Sequence, residues 1–150
     1  MGLKDKINND LKAALLSGNR FNGDVLRGLK AVILDEEIAQ SKRDEGLDDS
    51  AIEKLIAREV KKRNESANIY AGADRPELAE KEQSELKIIS EYLPEQLSED
   101  EINKIVLRAI AELGVTNPSA KGQVIGIVKK ELGNTADGAL IAKLVKNALN

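Results

Sequence analysis

The chain has no cysteine, no histidine and no tryptophan, and its aromatic residues are one phenylalanine and two tyrosines. Without cysteine there is no disulfide and no thiolate nucleophile, and with histidine also missing the usual zinc sites are excluded. Histidine-based triads are excluded on the same ground. So few aromatic rings leave little surface on which nucleic-acid bases could stack. No apolar run approaches the roughly 20 residues that a membrane-crossing helix needs. The N-terminus shows no basic-then-apolar secretion pattern. These absences lead to the expectation of a soluble cytoplasmic protein with no membrane partner, no metal and no cofactor.

What remains is rich in Ala, Leu, Ile, Val, Glu and Lys: 41% of the 150 residues are hydrophobic and 33% are charged. That balance suits a helical protein. The 23 Lys and Arg against 26 Asp and Glu give a net charge of −3, so no global basic field attracts nucleic acid. The end of the chain is different. From residue 113 onward Lys121, Lys129, Lys130, Lys143 and Lys146 face only Glu131 and Asp137.

Apolar residues recur at helical spacing along the whole chain. Leu3, Ile7, Leu11, Ala14 and Leu15 predict a first helix over residues 3–17, ended by Gly18 and Asn19. A second helix, about residues 22–40, carries Val25, Leu26, Leu29, Val32, Ile33 and Glu36 or Glu37 on its inner face. A polar loop over residues 41–47 precedes a long third helix, about residues 49–71, capped by Asp48 or Asp49. Its inner side reads Ile52, Leu55, Ile56, Val60, Ala67 and Tyr70. Asp74 is expected to cap a fourth helix that tolerates Pro76 in its first turn and runs to about Tyr92, with the stripe Leu78, Glu82, Leu86, Ile89 and Leu93. The tight turn between the third and fourth helices predicts antiparallel packing.

Pro94 then stops the chain's helical course, because proline lacks an N–H and disfavours α geometry in the residue before it. Four residues later Ser98-Glu99-Asp100-Glu101 forms an S-x-x-E capping box for a new helix. In that box the Ser98 hydroxyl and the Glu101 carboxylate both take up free N–H groups. Beyond it lie Ile102, Ile105, Val106, Ala109, Ile110 and Leu113; then Val124, Ile127, Val128 and Leu132; then, after Asp137, Leu140, Ile141, Leu144, Val145, Ala148 and Leu149. The expectation is an all-α chain in two parts: about four helices in residues 1–94 and a small three-helix bundle in residues 95–150.

Three features depart from a plain helical pattern. Lys54, Arg58, Lys61 and Lys62 share one face of the third helix, with Arg63 beside them, and read either as a phosphate-contacting stripe or as a solvated face paired with Glu53, Glu59 and Glu65. Glu82 interrupts an apolar stripe and, if buried, needs a partner such as Arg27, Arg58 or Arg63. Lys121-Gly122-Gln123-Val124-Ile125-Gly126 places two glycines on one helix face, for close helix packing or for contact with a ligand. The helix start near Lys121 offers free N–H groups to an anion.

The string EYLPEQLSEDE, the run Arg58-Glu59-Val60-Lys61-Lys62-Arg63, the run Gly122-Gln123-Val124-Ile125-Gly126 and Ala136-Asp137-Gly138 with Leu144-Val145-Lys146 resemble the YqeY family. That family is similar to the C-terminal helical and tail regions of the B subunit of the glutamine-dependent, tRNA-dependent amidotransferase, GatB. The resemblance covers nearly the whole chain, and it implies a helical N-terminal domain followed by a tail that engages tRNA. By position, Lys121, Gly122, Gln123, Gly126, Asp137 and Gly138 match the tail's glycine-bearing helix and its A-D-G turn. Thr135 stands where a basic residue is expected before that turn.

The resemblance therefore implies a module for tRNA or an aminoacyl-tRNA complex, related to carbon–nitrogen ligase chemistry with glutamine as nitrogen donor but with no catalytic centre of its own. Its expected nucleic-acid-binding residues are Lys121, Gly122, Gln123, Gly126, Lys129, Lys130, Lys143 and Lys146, helped by Arg58, Lys61 and Lys62. The competing expectation is a helical adaptor that docks on a protein of tRNA metabolism. Independent amidotransferase activity is disfavoured by the lack of Cys, His and a phosphate-binding loop.

Overall fold

A computed structural model describes residues 2–150. Among these the chain is all-α, and it divides into two compact units, one ending at Leu93 and one beginning at Pro94.

The first unit holds α1 (Leu3–Leu16), α2 (Arg20–Ala39), α3 (Asp49–Gly72) and α4 (Pro76–Ser90). Asn19 belongs to the start of α2 as well as to the end of α1, since its side-chain oxygen accepts the Asn22 N–H at 3.2 Å. Helix α2 thus begins earlier than its apolar pattern indicates. Asp48 caps α3 by accepting the Ala51 N–H at 2.8 Å. Asp49 Oδ1 accepts the Leu3 N–H at 2.9 Å, which ties the first turn of α1 to α3. The expected Asp74 cap on α4 is absent: Asp74 sits in the left-handed region at φ 58°, and Arg75 holds the N-cap position without a side-chain bond.

The core of this unit is Ile7 and Leu11 of α1, Val25, Leu26, Leu29 and Ile33 of α2, Leu47 of the loop, Ile52, Leu55 and Ile56 of α3, and Ile89 and Tyr92. Helices α3 and α4 continue well past it as an antiparallel hairpin arm, in which Ala67 is the buried residue. Two helices share only one face, so the expected inner positions Val60, Tyr70, Leu78 and Leu86 are half-buried. Glu82 lies in this arm, is likewise half-buried, and has no ion pair among the described residues. Arg63 instead lies 3.7 Å from Glu85 and 4.0 Å from Glu59.

The second unit holds α5 (Glu99–Leu113), α6 (Lys121–Leu132) and α7 (Gly138–Leu149), with 3-10 turns at Pro118–Ala120 and Gly133–Thr135. Ser98 Oγ accepts the Glu101 N–H at 3.2 Å, as the S-x-x-E spacing requires. Its hydroxyl donates to the Glu101 carboxylate at 3.0 Å, so that carboxylate binds the serine side chain rather than supplying the reciprocal backbone bond. Gly114, at φ 66°, closes α5 in the left-handed region. Ile102, Val106, Ala109, Val124, Val128, Leu132, Ile141, Leu144, Val145 and Leu149 form the core. Ile127 and Ala148, expected inside, are exposed, and Ile125 is half-buried against the core instead. No helix among the described residues is long and apolar enough to cross a membrane.

Candidate functional site

Helix α2 carries the chemistry that the sequence marks least clearly. Glu37 is completely buried, although it is a carboxylate. It survives there because its oxygens are paired: Lys4 Nζ of α1 donates to both at 2.9 Å, and the Leu47 N–H donates to Oε2 at 3.0 Å. Burial pushes the Glu37 carboxyl up, but the Lys4 hydrogen bonds, the Leu47 N–H and the Lys4 charge outweigh it and hold the group below its ordinary value. Gly46 makes the loop's approach feasible. It lies at φ 76°, and a Cβ there would meet Glu37 Oε2 at 3.2 Å. One acidic side chain therefore joins α1, α2 and the α2–α3 loop.

Two clefts flank this clasp. One, about 260 Å³, is mostly apolar and is lined by Lys4, Arg27, Lys30, Ala31, Leu34 and Glu37. Its apolar wall continues along the outward face of α2: Leu34 is 41% exposed and Ile38, one turn on, is 54% exposed. The other cleft, about 300 Å³, lies between α2 and α3 and is bounded by Glu36, Gln40, Leu47, Asp48, Lys54 and Arg58, among others.

A second polar clasp closes the first unit. The buried Tyr92 hydroxyl donates to Asp10 Oδ2 at 2.6 Å, and Lys6 Nζ stands 5.5 Å from the ring centroid. Burial, then the Asp10 hydrogen bond and charge, then the Glu91 charge push the Tyr92 phenol well above its ordinary range.

The residues expected to bind nucleic acid are carried by both units. Arg58, Lys61 and Lys62 belong to α3 of the first unit, where Arg58 borders the larger cleft and Lys62 lies 3.9 Å from Glu59. In the second unit Lys121 donates to Asn150 Oδ1 at 3.2 Å. The start of α6 continues directly from the 3-10 turn, whose own N–H of Ser119 is taken by Asn117 at 3.0 Å, and Ala120 bonds the Asn117 carbonyl. Gly122 and Gly126 face open space with nothing within 4 Å of a built Cβ, so neither serves a close helix contact. Gln123 is exposed beside them. Lys129 lies over Gly138, where a Cβ would meet its Cε at 3.1 Å. Lys130, Lys143 and Lys146 are exposed. Asp137 caps α7 through the Ala139 N–H at 3.4 Å. Thr135 ties the turn before α7 in place. Its hydroxyl donates to the Leu132 carbonyl at 2.6 Å, and its own carbonyl accepts the Leu97 N–H at 2.8 Å. No group of three or more acidic, His or Cys side chains among the described residues could hold a metal ion.

In the sequence, Glu36 or Glu37 stands out only as part of a helix face, and Lys4 does not stand out at all. Their pairing spans 33 residues of chain, and local periodicity carries no signal for it. The cue that exists is a carboxylate at an inner helical position followed by a glycine-bearing loop.

Comparison with known proteins replaces several expectations. The family described as Yqey-like protein matches residues 4–149. Among curated relatives, "Altered inheritance of mitochondria protein 41, mitochondrial" of Lachancea thermotolerans is 33% identical over 73% of this chain and 59% of its own length. The protein of the same name in Pyrenophora tritici-repentis is 29% identical over 93% of this chain and 77% of its own. That of Kluyveromyces lactis is 30% identical over 78% and 64% respectively. The chain thus spans about three-fifths of the length of the Lachancea relative. These names overturn the expected tRNA-binding or amidotransferase-related function, since neither they nor the family description attaches RNA, amide transfer or a carbon–nitrogen ligase. They equally overturn the cytoplasmic expectation, because every such relative is named as mitochondrial. With a match that runs through both units, the chain belongs to the family of Yqey-like proteins.

Proposed function

We propose that the chain is a non-catalytic helical binding protein that docks an acidic amphipathic helix of a protein partner on the outward face of α2. The observation that carries this reading is the apolar stripe Ala31, Leu34 and Ile38, turned away from the core of its own unit and continuous with the 260 Å³ cleft. Exposed leucine and isoleucine one turn apart match the spacing with which a partner helix presents anchors to a groove. Charge selects the partner's sign. The Lys4 charge is neutralised by Glu37, while Lys30 has no ion pair among the described residues. Arg27 has only an exposed contact with Asp24 at 3.8 Å, which is weak in water. The rim of the cleft is therefore left positive, with exposed Asp35 near the Ile38 end of the stripe as its counterweight. Division of the chain into a four-helix domain, residues 1–94, and a three-helix domain, residues 95–150, forms part of this reading, supported by the two separate apolar clusters. The relatives' names support a mitochondrial setting for it.

The test is fluorescence anisotropy with a helical peptide bearing leucines at i, i+3, i+4 and i+7 and glutamates elsewhere, beside its lysine counterpart. The expected result is salt-sensitive binding of the acidic peptide, loss of it in the Leu34→Ser, Ile38→Ser double variant, and no binding of the basic peptide. Equal binding of both peptides, or binding untouched by the double variant, overturns the proposal. Self-association of the chain that the double variant abolishes assigns the stripe to a second copy instead.

A further inference from the structure

We infer that the cleft between α2 and α3 is a binding site for a small apolar zwitterion, of the class of the branched or thioether free amino acids. Its walls carry opposite charges that do not meet. Lys54 and Arg58, one turn apart, line it from α3, where Asp48 stands at the helix's N-cap; Glu36 lines it from α2. Neither Lys54 nor Arg58 has an ion pair among the described residues, and no ion pair crosses the cleft. The acidic groups are held in place: Glu36 Oε1 accepts from Gln40 Nε2 at 2.6 Å and Asp48 Oδ1 is fixed by the Ala51 N–H at 2.8 Å. Leu47 and Leu55, both buried, supply apolar floor between the charged walls.

A ligand that fits has a carboxylate for the Arg58 fork and Lys54, an ammonium for Glu36, and an apolar body over Leu47 and Leu55. At about 300 Å³ the cleft stands at the small end of ligand pockets, which run from about 300 to 1,000 Å³. That size admits a single building block and not a nucleotide. The cations are solvent-exposed, so binding is weak and sensitive to salt.

The experiment is a titration of the full chain with leucine, isoleucine, valine and methionine, followed by amide nitrogen–proton spectra. Isovalerate and isoamylamine, which each keep one of leucine's two charges, serve as controls. At least one amino acid is expected to shift the amides between Leu47 and Arg58 saturably. Arg58→Gln and Glu36→Gln should each weaken that binding about tenfold, since each removes one charged hydrogen bond. Unchanged far-ultraviolet circular dichroism checks that both variants fold. The inference is overturned by an absence of saturable shifts with all four amino acids. It is also overturned if isovalerate or isoamylamine binds as tightly as leucine, or if both substitutions leave binding unaltered.

Discussion

Glu37 shows how one buried charge organises its surroundings. Its two oxygens hold Lys4 and the Leu47 N–H, so removing either partner has a different consequence from removing the charge. Lys4→Met leaves the carboxylate buried with one backbone donor and should cost about 2–3 kcal/mol in urea unfolding. Adding Glu37→Gln to it should recover part of that loss, because the uncompensated charge is then gone. A double variant no more stable than Lys4→Met alone would show that the carboxylate is already solvated. Glu37 also explains why the sequence pattern shows an inner carboxylate yet draws the eye to Glu82. Both residues fall on apolar stripes. Only at Glu37 do α1 and a loop close over the helix, while at Glu82 the hairpin arm has a single packed face and the side chain reaches water.

Within elements, the caps at Asp48, Ser98 and Asp137 are legible in the sequence because their chemistry is local, whereas the cap expected at Asp74 is not made. Asp48, Ser98 and Asp137 each accept an N–H two or three residues on, and short spacing shows in the sequence. The exposed glycines of α6 are legible as a departure from helix propensity but not in their cause, since a sequence cannot say which face of a helix meets nothing. As Gly122 and Gly126 face open space, no native contact repays their cost. Gly122→Ala and Gly126→Ala should each stabilise the protein by about 0.5–1 kcal/mol, seen as a higher unfolding midpoint. A loss of stability at either position would mean that the face is packed in solution. The lysines of the same region read as a patch because they are close in sequence. In the structure two of them have partners of their own, Lys121 in Asn150 and Lys129 over Gly138.

The whole molecule has no histidine, and the two marked titrations among the described residues lie far apart. The Glu37 carboxyl is depressed from 4.5, so the stability it contributes is complete above that value and is lost as pH falls through the lower folded value. The Tyr92 phenol is raised from 10.0, so its contribution is complete below pH 10.0 and is lost as pH rises through the higher folded value. Unfolding free energy should therefore be nearly flat through neutrality and fall at both ends. Alkaline titration followed by tyrosinate absorbance should show Tyr92 ionising only as the protein unfolds. Tyr92→Phe should remove the late step. Ionisation of Tyr92 in the still-folded protein would dissolve the Asp10 clasp as a structural feature.

The hairpin arm of α3 and α4 has one further consequence, for descent rather than for folding. Its outer turns bury little beyond Ala67 and stand clear of the residues that make up the first core. Matched turns can be gained or lost at its tip, one from each helix, without disturbing Ile52, Ile56 or Ile89. Length there is free to drift among kin, so the arm is where members of this lineage should differ most in size while their cores stay alike.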